Sequence, residues 1–162
     1  MKALVTGGAG FIGSHVVDRL LQEHFDVVVI DNLSTGRLDN LKHQFSNPAL
    51  RVVQMDVNDI QNTAQHYSGA DWVIHLAALA DIVPSIEQPM LYHRSNVDGT
   101  VSVLEAARQA GVKRFIYAAS SSCYGIPEIY PTPEDAPLQP QYPYALTKYL
   151  GEQCVLHWSQ IY

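Results

Sequence analysis

Apolar residues fall along this chain in short blocks, separated by stretches in which they return every third or fourth position. The blocks are Ala3 to Val5, Val27 to Ile30, Leu50 to Met55, Ala70 to Leu76 and Arg114 to Ala119, each of strand length. Between them, Ile12, Val16, Val17, Leu20 and Leu21 recur at helical spacing. So do Val97, Val101, Leu104, Ala107 and Arg108, in a long helix that Ser85 to Met90 leads into and that Gly111 closes as a left-handed cap. Asp56-Val57-Asn58-Asp59 caps a further helix through Tyr67, and a weakly periodic segment from Arg37 to Phe45 reads as a short one. A last helix begins at about Tyr144. Strands alternating with helices require parallel pairing and right-handed crossovers, which predicts an α/β doubly wound sheet in the order 3-2-1-4-5. In that order a ligand lies across the carboxyl ends of the first and fourth strands.

The turn after the first strand says what kind of ligand. Thr6-Gly7-Gly8-Ala9-Gly10-Phe11-Ile12-Gly13 runs from strand to helix with glycines spaced GxxGxxG. Gly7 permits a sharp turn, Gly10 lets backbone approach a pyrophosphate, and Gly13 lets the helix pack on the strand, with the helix N-terminal N–H groups facing the anion. The second strand ends on Asp31, about 20 residues further on, where a carboxylate accepts ribose hydroxyls. A dinucleotide site follows, and a carboxylate at that point favours NAD because it repels a 2′-phosphate. Arg37 is the one nearby feature pointing the other way.

Composition narrows the alternatives. With 162 residues and 47% hydrophobic content the chain forms one domain with a real core. A net charge of −6 with no Lys/Arg cluster argues against nucleic-acid or anionic-membrane surfaces. Apolar runs of strand length only, and an N-terminus that enters a strand at once, predict a cytoplasmic protein. Cys123 and Cys154 lack CxxC spacing and the histidines are scattered, so neither a disulfide nor a metal site is expected. The prolines between Ile126 and Pro143 are interleaved with Ile129, Tyr130, Leu138 and Tyr142, which favours a packed active-site loop over a linker.

Tyr144 and Lys148 stand four residues apart, so phenol and ammonium project from one helix face. A free phenol keeps its proton to about pH 10, and a nearby cation favours the phenolate, which is how such a pair shuttles protons. Ser120, at the end of the fifth strand, adds a hydroxyl beside the same crevice.

With these residues in view the chain resembles the extended short-chain dehydrogenase/reductases, specifically nucleotide-sugar epimerases similar to UDP-glucose 4-epimerase. The marks are TGGAGFIG (Thr6 to Gly13), DNL (Asp31 to Leu33), Asp56-Val57, HLAA (His75 to Ala78), NVDGT (Asn96 to Thr100), SSSCYG (Ser120 to Gly125) and PYALTK (Pro143 to Lys148). The resemblance implies a Rossmann fold in which Gly7, Gly10, Phe11, Ile12 and Gly13 hold the pyrophosphate and Asp31 and Asn32 the adenosine ribose. Asp56 and Val57 would bracket the adenine, and Leu76, Ala77, Ala78 and Leu79 would line the centre of the cofactor. Asn96 would support the site. Tyr144 would be the base, Lys148 would bind the nicotinamide ribose, and Ser120, with Ser121 and Ser122, would meet the substrate.

The implied reaction is epimerisation of a nucleotide-diphosphate sugar, a UDP-sugar at C4 first of all, through a 4-keto sugar with tightly held NAD. Related dehydratases carry Asp-Glu after the active-site Ser/Thr and decarboxylases Ser-Glu, whereas here Ser121-Ser122 follow. Ala80-Asp81 stands where UDP-glucose epimerases often have a lysine, which leaves N-acetylated and uronic sugars open. A dehydratase or reductase of the same superfamily and a non-catalytic NAD-binding module are the alternatives. The resemblance further implies a homodimer, and that residues 1–162 are the NAD-binding domain of a longer enzyme whose nucleotide-sugar lobe and last strands lie outside this chain.

Overall fold

The central strand blocks, Ala3 to Val5 and Val27 to Ile30, are apolar throughout because both faces of the sheet are covered there. In the structure, a computed structural model that describes residues 1–162, β1 (Lys2–Thr6), β2 (Asp26–Asp31), β3 (Leu50–Gln54), β4 (Trp72–His75) and β5 (Arg114–Tyr117) pair in parallel. Their order is β3-β2-β1-β4-β5, as the alternation predicts. The period of two sorts β1 between two cores. Leu4 joins Val28, Ile30, Val53 and Val73 under Val103, Ala106 and Ala107 of α5 (Gly99–Gln109). Ala3 and Val5 join Val27, Val29 and Ile74 under Val17, Leu20 and Leu21 of α1 (Phe11–Gln22) and under Leu41. Each large aliphatic side chain buried this way contributes about 1.5 to 3 kcal/mol, so the centre of the sheet is its firmest part.

Element boundaries depart from the sequence expectation in ways that bear on the site. Ladder pairing stops at His75 and Tyr117, short of Leu76 and Ala119, and the released backbone lines a cleft. Residues 56–67 do not form one helix: α2 (Ile60–Thr63) passes into a 3₁₀ turn, Ala64–Tyr67, and the capping side chain is Asp59, which accepts from the Asn62 N–H. Arg37 to Phe45 holds 3₁₀ turns over Leu38–Gln44.

The long helix is also interrupted. The chain ends α3 (Ile82–Glu87) at Gln88, whose backbone is non-helical as the following Pro89 requires, and restarts as α4 (Pro89–His93). Arg94–Asp98 then forms a π turn before α5. Gly111, with φ of 69°, caps α5 as anticipated. Helix α6 (Pro143–Ile161) starts on a proline and packs on α3, α4 and α5. Residues 125–142 carry no helix or strand and are pinned by the Gln139 N–H to the Cys123 carbonyl (2.9 Å) and by the Tyr124 hydroxyl to the Glu134 carbonyl (3.2 Å). Strand β5 is an edge, paired only with β4. No helix is long and apolar enough to cross a membrane.

Candidate functional site

The glycine loop closes β1 onto β4. Gly7 has a φ of 70°, and a Cβ there would stand 2.6 Å from the Ala77 nitrogen. At Gly13 a Cβ would stand 2.1 Å from the Gly7 carbonyl oxygen, so the first turn of α1 rests on the loop only because no side chain intervenes. Asp31 ties the loop to β2. Its carboxylate accepts the Ala9 N–H (2.9 Å) and the Leu33 N–H (2.8 Å), and the residue is buried.

Together these elements enclose a cleft of about 320 Å³ at the carboxyl ends of β1, β2 and β4. It is lined by Gly7, Gly10, Phe11, Ile12, Gly13, Asp31, Asn32, Asp56, Val57, Leu76, Ala77 and Ala78, all expected there from the sequence, and also by Ser34, Thr35, Gly36, Met55, Ser95 and Ala118. Phe11 and Ile12 stay largely exposed at the mouth, apolar side chains without a core to join. Asn32 donates to Asp56 across the opening (3.2 Å), and Asn58 donates to Asp56 through its backbone (2.8 Å) and side chain (2.9 Å). Partial burial pushes the Asp56 carboxyl up, and these hydrogen bonds with Arg94 more than offset it, so it sits below its ordinary value. Arg37 is exposed and does not line the cleft; its backbone N–H bonds the Ala9 carbonyl.

Leu79, Asn96, Ser120, Ser121, Ser122, Tyr144 and Lys148 lie off this cleft lining, in two neighbouring groups. In the first, the buried Asn96 of the π turn accepts the Leu79 N–H (2.8 Å) and donates to the Leu79 carbonyl and to Thr147 Oγ1, both at 3.0 Å. Thr147 in turn donates to the Tyr144 carbonyl (2.9 Å). The loop after β4 is thereby tied to the first turn of α6. Tyr92 adds a second tie, donating to the Ala80 carbonyl while its ring meets that of Tyr144 edge-on, with centroids 6.5 Å apart. In the second group, Ser120 Oγ and Ser122 Oγ lie 2.5 Å apart, and Ser120 also accepts the Ser122 N–H (3.3 Å). Ser120 and Ser121 line a hollow under the proline-rich segment with Cys123, Tyr124, Glu134, Asp135 and Glu152.

Lys148 is buried on α6 with no carboxylate at ion-pair distance. Burial pulls its ammonium down to about 8, against the attraction of Cys123 and Glu152. Its Nζ lies 4.1 Å from the centre of the Tyr117 ring.

His75, which entered above only as the first residue of the HLAA stretch, is the buried group that joins these parts. His75 bonds Thr6 Oγ1 through Nδ1 (2.6 Å) and Thr100 Oγ1 through Nε2 (3.0 Å). Thr100 gives its one proton to the Asn96 carbonyl (2.6 Å), so Nε2 must be the donor and Nδ1 the acceptor. Thr6 then accepts the Leu76 and Ala77 N–H groups, both at 3.3 Å, which aims the cleft-lining backbone after β4. Burial, reinforced by Lys148, holds His75 neutral and pulls it down to about 3. The signal was a histidine closing an otherwise apolar strand block.

Comparison with known proteins agrees with this geometry. Residues 3–162 match the NAD dependent epimerase/dehydratase family. A UDP-glucose 4-epimerase from Mycolicibacterium smegmatis is 42% identical across all of this chain, which covers 52% of that protein. The structure of a UDP-glucose 4-epimerase from Thermotoga maritima, with UDP-glucose, superposes with a TM-score of 0.92 at 35% identity, covering 99% of this chain and 52% of that one. That of the Thermus thermophilus UDP-glucose 4-epimerase, a complex with NAD, gives 0.89 at 35% identity, covering 100% and 52%. The chain thus spans about half the length of the relatives it matches. The strand order, the glycine loop beneath its cleft and the match over residues 3–162 establish that this chain belongs to the NAD dependent epimerase/dehydratase family.

Proposed function

We propose that residues 1–162 supply the NAD-binding and acid–base part of an enzyme that epimerises a nucleotide-diphosphate sugar, with UDP-sugars and inversion at C4 favoured. The observation that carries this reading is Lys148: a buried ammonium with no carboxylate at ion-pair distance, one helical turn from Tyr144, in the same domain as a glycine-loop cleft. A lone buried cation is costly to keep unless its charge is used.

The cleft suits NAD. The absent side chains at Gly7 and Gly13 leave backbone facing the opening, and Asp31 presents a carboxylate with free lone pairs where ribose hydroxyls would sit. In this reading Gly10, Phe11 and Ile12 hold the pyrophosphate, Asn32 joins Asp31 at the ribose, and Asp56 and Val57 flank the adenine. Ala77, Ala78 and Leu79 line the centre, and Lys148 holds the nicotinamide ribose. When bound, NAD supplies a reversible acceptor for the hydrogen on the sugar carbon. Tyr144 takes the proton of the 4-hydroxyl as that carbon is oxidised, and Ser120 hydrogen-bonds the same oxygen. The serines after Ser120 provide no acid or base for elimination or decarboxylation, so the keto sugar turns over and Tyr144 returns the proton. Net redox is zero. The relatives' names support the UDP-sugar class, and the reading extends to a cytoplasmic homodimer packed through α5 and α6.

The test is to load the longer enzyme, residues 1–162 together with the proposed nucleotide-sugar lobe, with NAD, add UDP-galactose, UDP-N-acetylglucosamine or UDP-glucuronate, and follow C4 by proton NMR with free NADH by absorbance. Inversion without net NADH supports the proposal. Stoichiometric NADH release, or loss of water from the sugar, would replace it with a dehydrogenase or dehydratase.

A further inference from the structure

The buried ammonium of Lys148 has no carboxylate at ion-pair distance, only the longer-range attraction of Glu152, and Tyr117 is placed to support it. Tyr117 closes β5, and the Lys148 Nζ stands 4.1 Å from its ring centroid, within cation–π range. The Tyr117 hydroxyl donates to the Lys148 backbone carbonyl (3.2 Å), so one side chain grips both ends of the lysine. Helix α6 comes this close because residue 151 is glycine: a Cβ there would stand 2.5 Å from the Tyr117 hydroxyl oxygen. From the sheet side the ring is backed by His75, with centroids 5.8 Å apart, and His75 is itself fixed by Thr6 and Thr100. We infer that Tyr117 is a positioning residue for Lys148, its ring face carrying the ammonium and its hydroxyl fixing the helical turn, so that the charge is held on the face α6 shares with Tyr144.

This rests on the reading of Lys148 as the partner of Tyr144, but it is tested without turnover. The groups facing the ammonium are Tyr117 on β5, Cys123 in the turn after it, Glu152 on α6 and the neutral His75 on β4. Burial keeps the Tyr117 phenol protonated, so it remains a hydrogen-bond donor and adds no charge.

The experiment is carbon-13 reductive methylation of the lysines and NMR titration of each dimethylamino signal, with Lys148 assigned by its disappearance in Lys148→Arg. Four proteins are compared: wild type, Tyr117→Phe, position 117 carrying a trifluorinated phenylalanine of nearly the same shape, and Gly151→Ala. Phenylalanine keeps the negative ring face, so Lys148 should titrate within about 0.3 pH units of wild type. Fluorination removes that face with little change in shape, and the titration should fall by about 0.5 to 1.5 pH units, the range of cation–π strengths. Gly151→Ala should lower it too, by pushing the ring away. A merely space-filling Tyr117 would leave the phenylalanine and fluorinated proteins alike, and that result overturns the proposal. Should Gly151→Ala fail to fold, the comparison at position 117 alone decides.

Discussion

Replacing Lys148 by methionine should stabilise the cofactor-free protein at neutral pH while removing a residue its proposed function needs. The ammonium is ordinary at 10.5 in the unfolded chain and about 8 when folded, pulled down first by burial. Each pH unit corresponds to 1.36 kcal/mol, so keeping the folded lysine charged costs about 3 kcal/mol. Methionine fills similar space, packs on the Tyr117 ring and carries no charge, so the variant should be more stable by about 1 to 3 kcal/mol at pH 7. The pH dependence has a definite sign. Between pH 8 and 10.5 the unfolded chain binds a proton that the folded one has released, so raising the pH favours the folded wild type. The advantage of Lys148→Met is therefore full below pH 8 and disappears by about pH 10.5. Urea unfolding of both proteins at intervals from pH 6.5 to 10.5 measures it. A destabilised variant at pH 7, or a gap that does not change with pH, would refute the argument that Lys148 is charged and held at a cost.

His75 should remain a neutral Nε2–H tautomer to well below pH 6, visible in nitrogen-15 NMR; an imidazole titrating near 6.5 would break the network derived for it. Because its folded value lies near 3 and its unfolded value near 6.5, it contributes stability above pH 6.5 that is lost as pH falls toward 3, a slope that His75→Gln should lack in acid unfolding. Asp31→Ala should weaken NAD binding by about 1 to 3 kcal/mol in calorimetry, and wild type should bind NADP more weakly than NAD; equal affinities would turn attention to Arg37. In a chain that includes the substrate lobe, Tyr144→Phe should leave NAD affinity nearly unchanged and lower sugar turnover by roughly 10² or more, with near-normal turnover excluding Tyr144 as the acid–base group.

Strand order and the glycine cradle were legible because their causes are local. A block such as Val27 to Ile30 has one stable use in a domain of this size, and Gly7 and Gly13 follow from a strand–turn–helix they themselves specify. Asp31 was found, but its grip on the Ala9 and Leu33 N–H groups was not, since the ribose pattern says nothing about what else the carboxylate holds. The π turn over Arg94–Asp98 escaped because the spacing of apolar residues does not show one extra residue in a helical turn; it directly precedes α5, where Gly99 lies close against Val57. The supporting residues were hidden for another reason. His75, Thr100, Tyr117 and Thr147 are far apart in sequence and read singly as strand ends or helix polar positions, and only the parallel register of β4 with β5 and the packing of α6 brings them together.

The most direct measurement follows deuterium placed at C4 of UDP-galactose through the NAD-loaded longer enzyme, residues 1–162 joined to their nucleotide-sugar lobe. An enzyme that oxidises and re-reduces the same carbon within one site yields UDP-glucose with the deuterium still at C4, and none in water or free NADH. Loss of the label to solvent, or its appearance in released NADH, would contradict epimerisation through a transiently oxidised sugar.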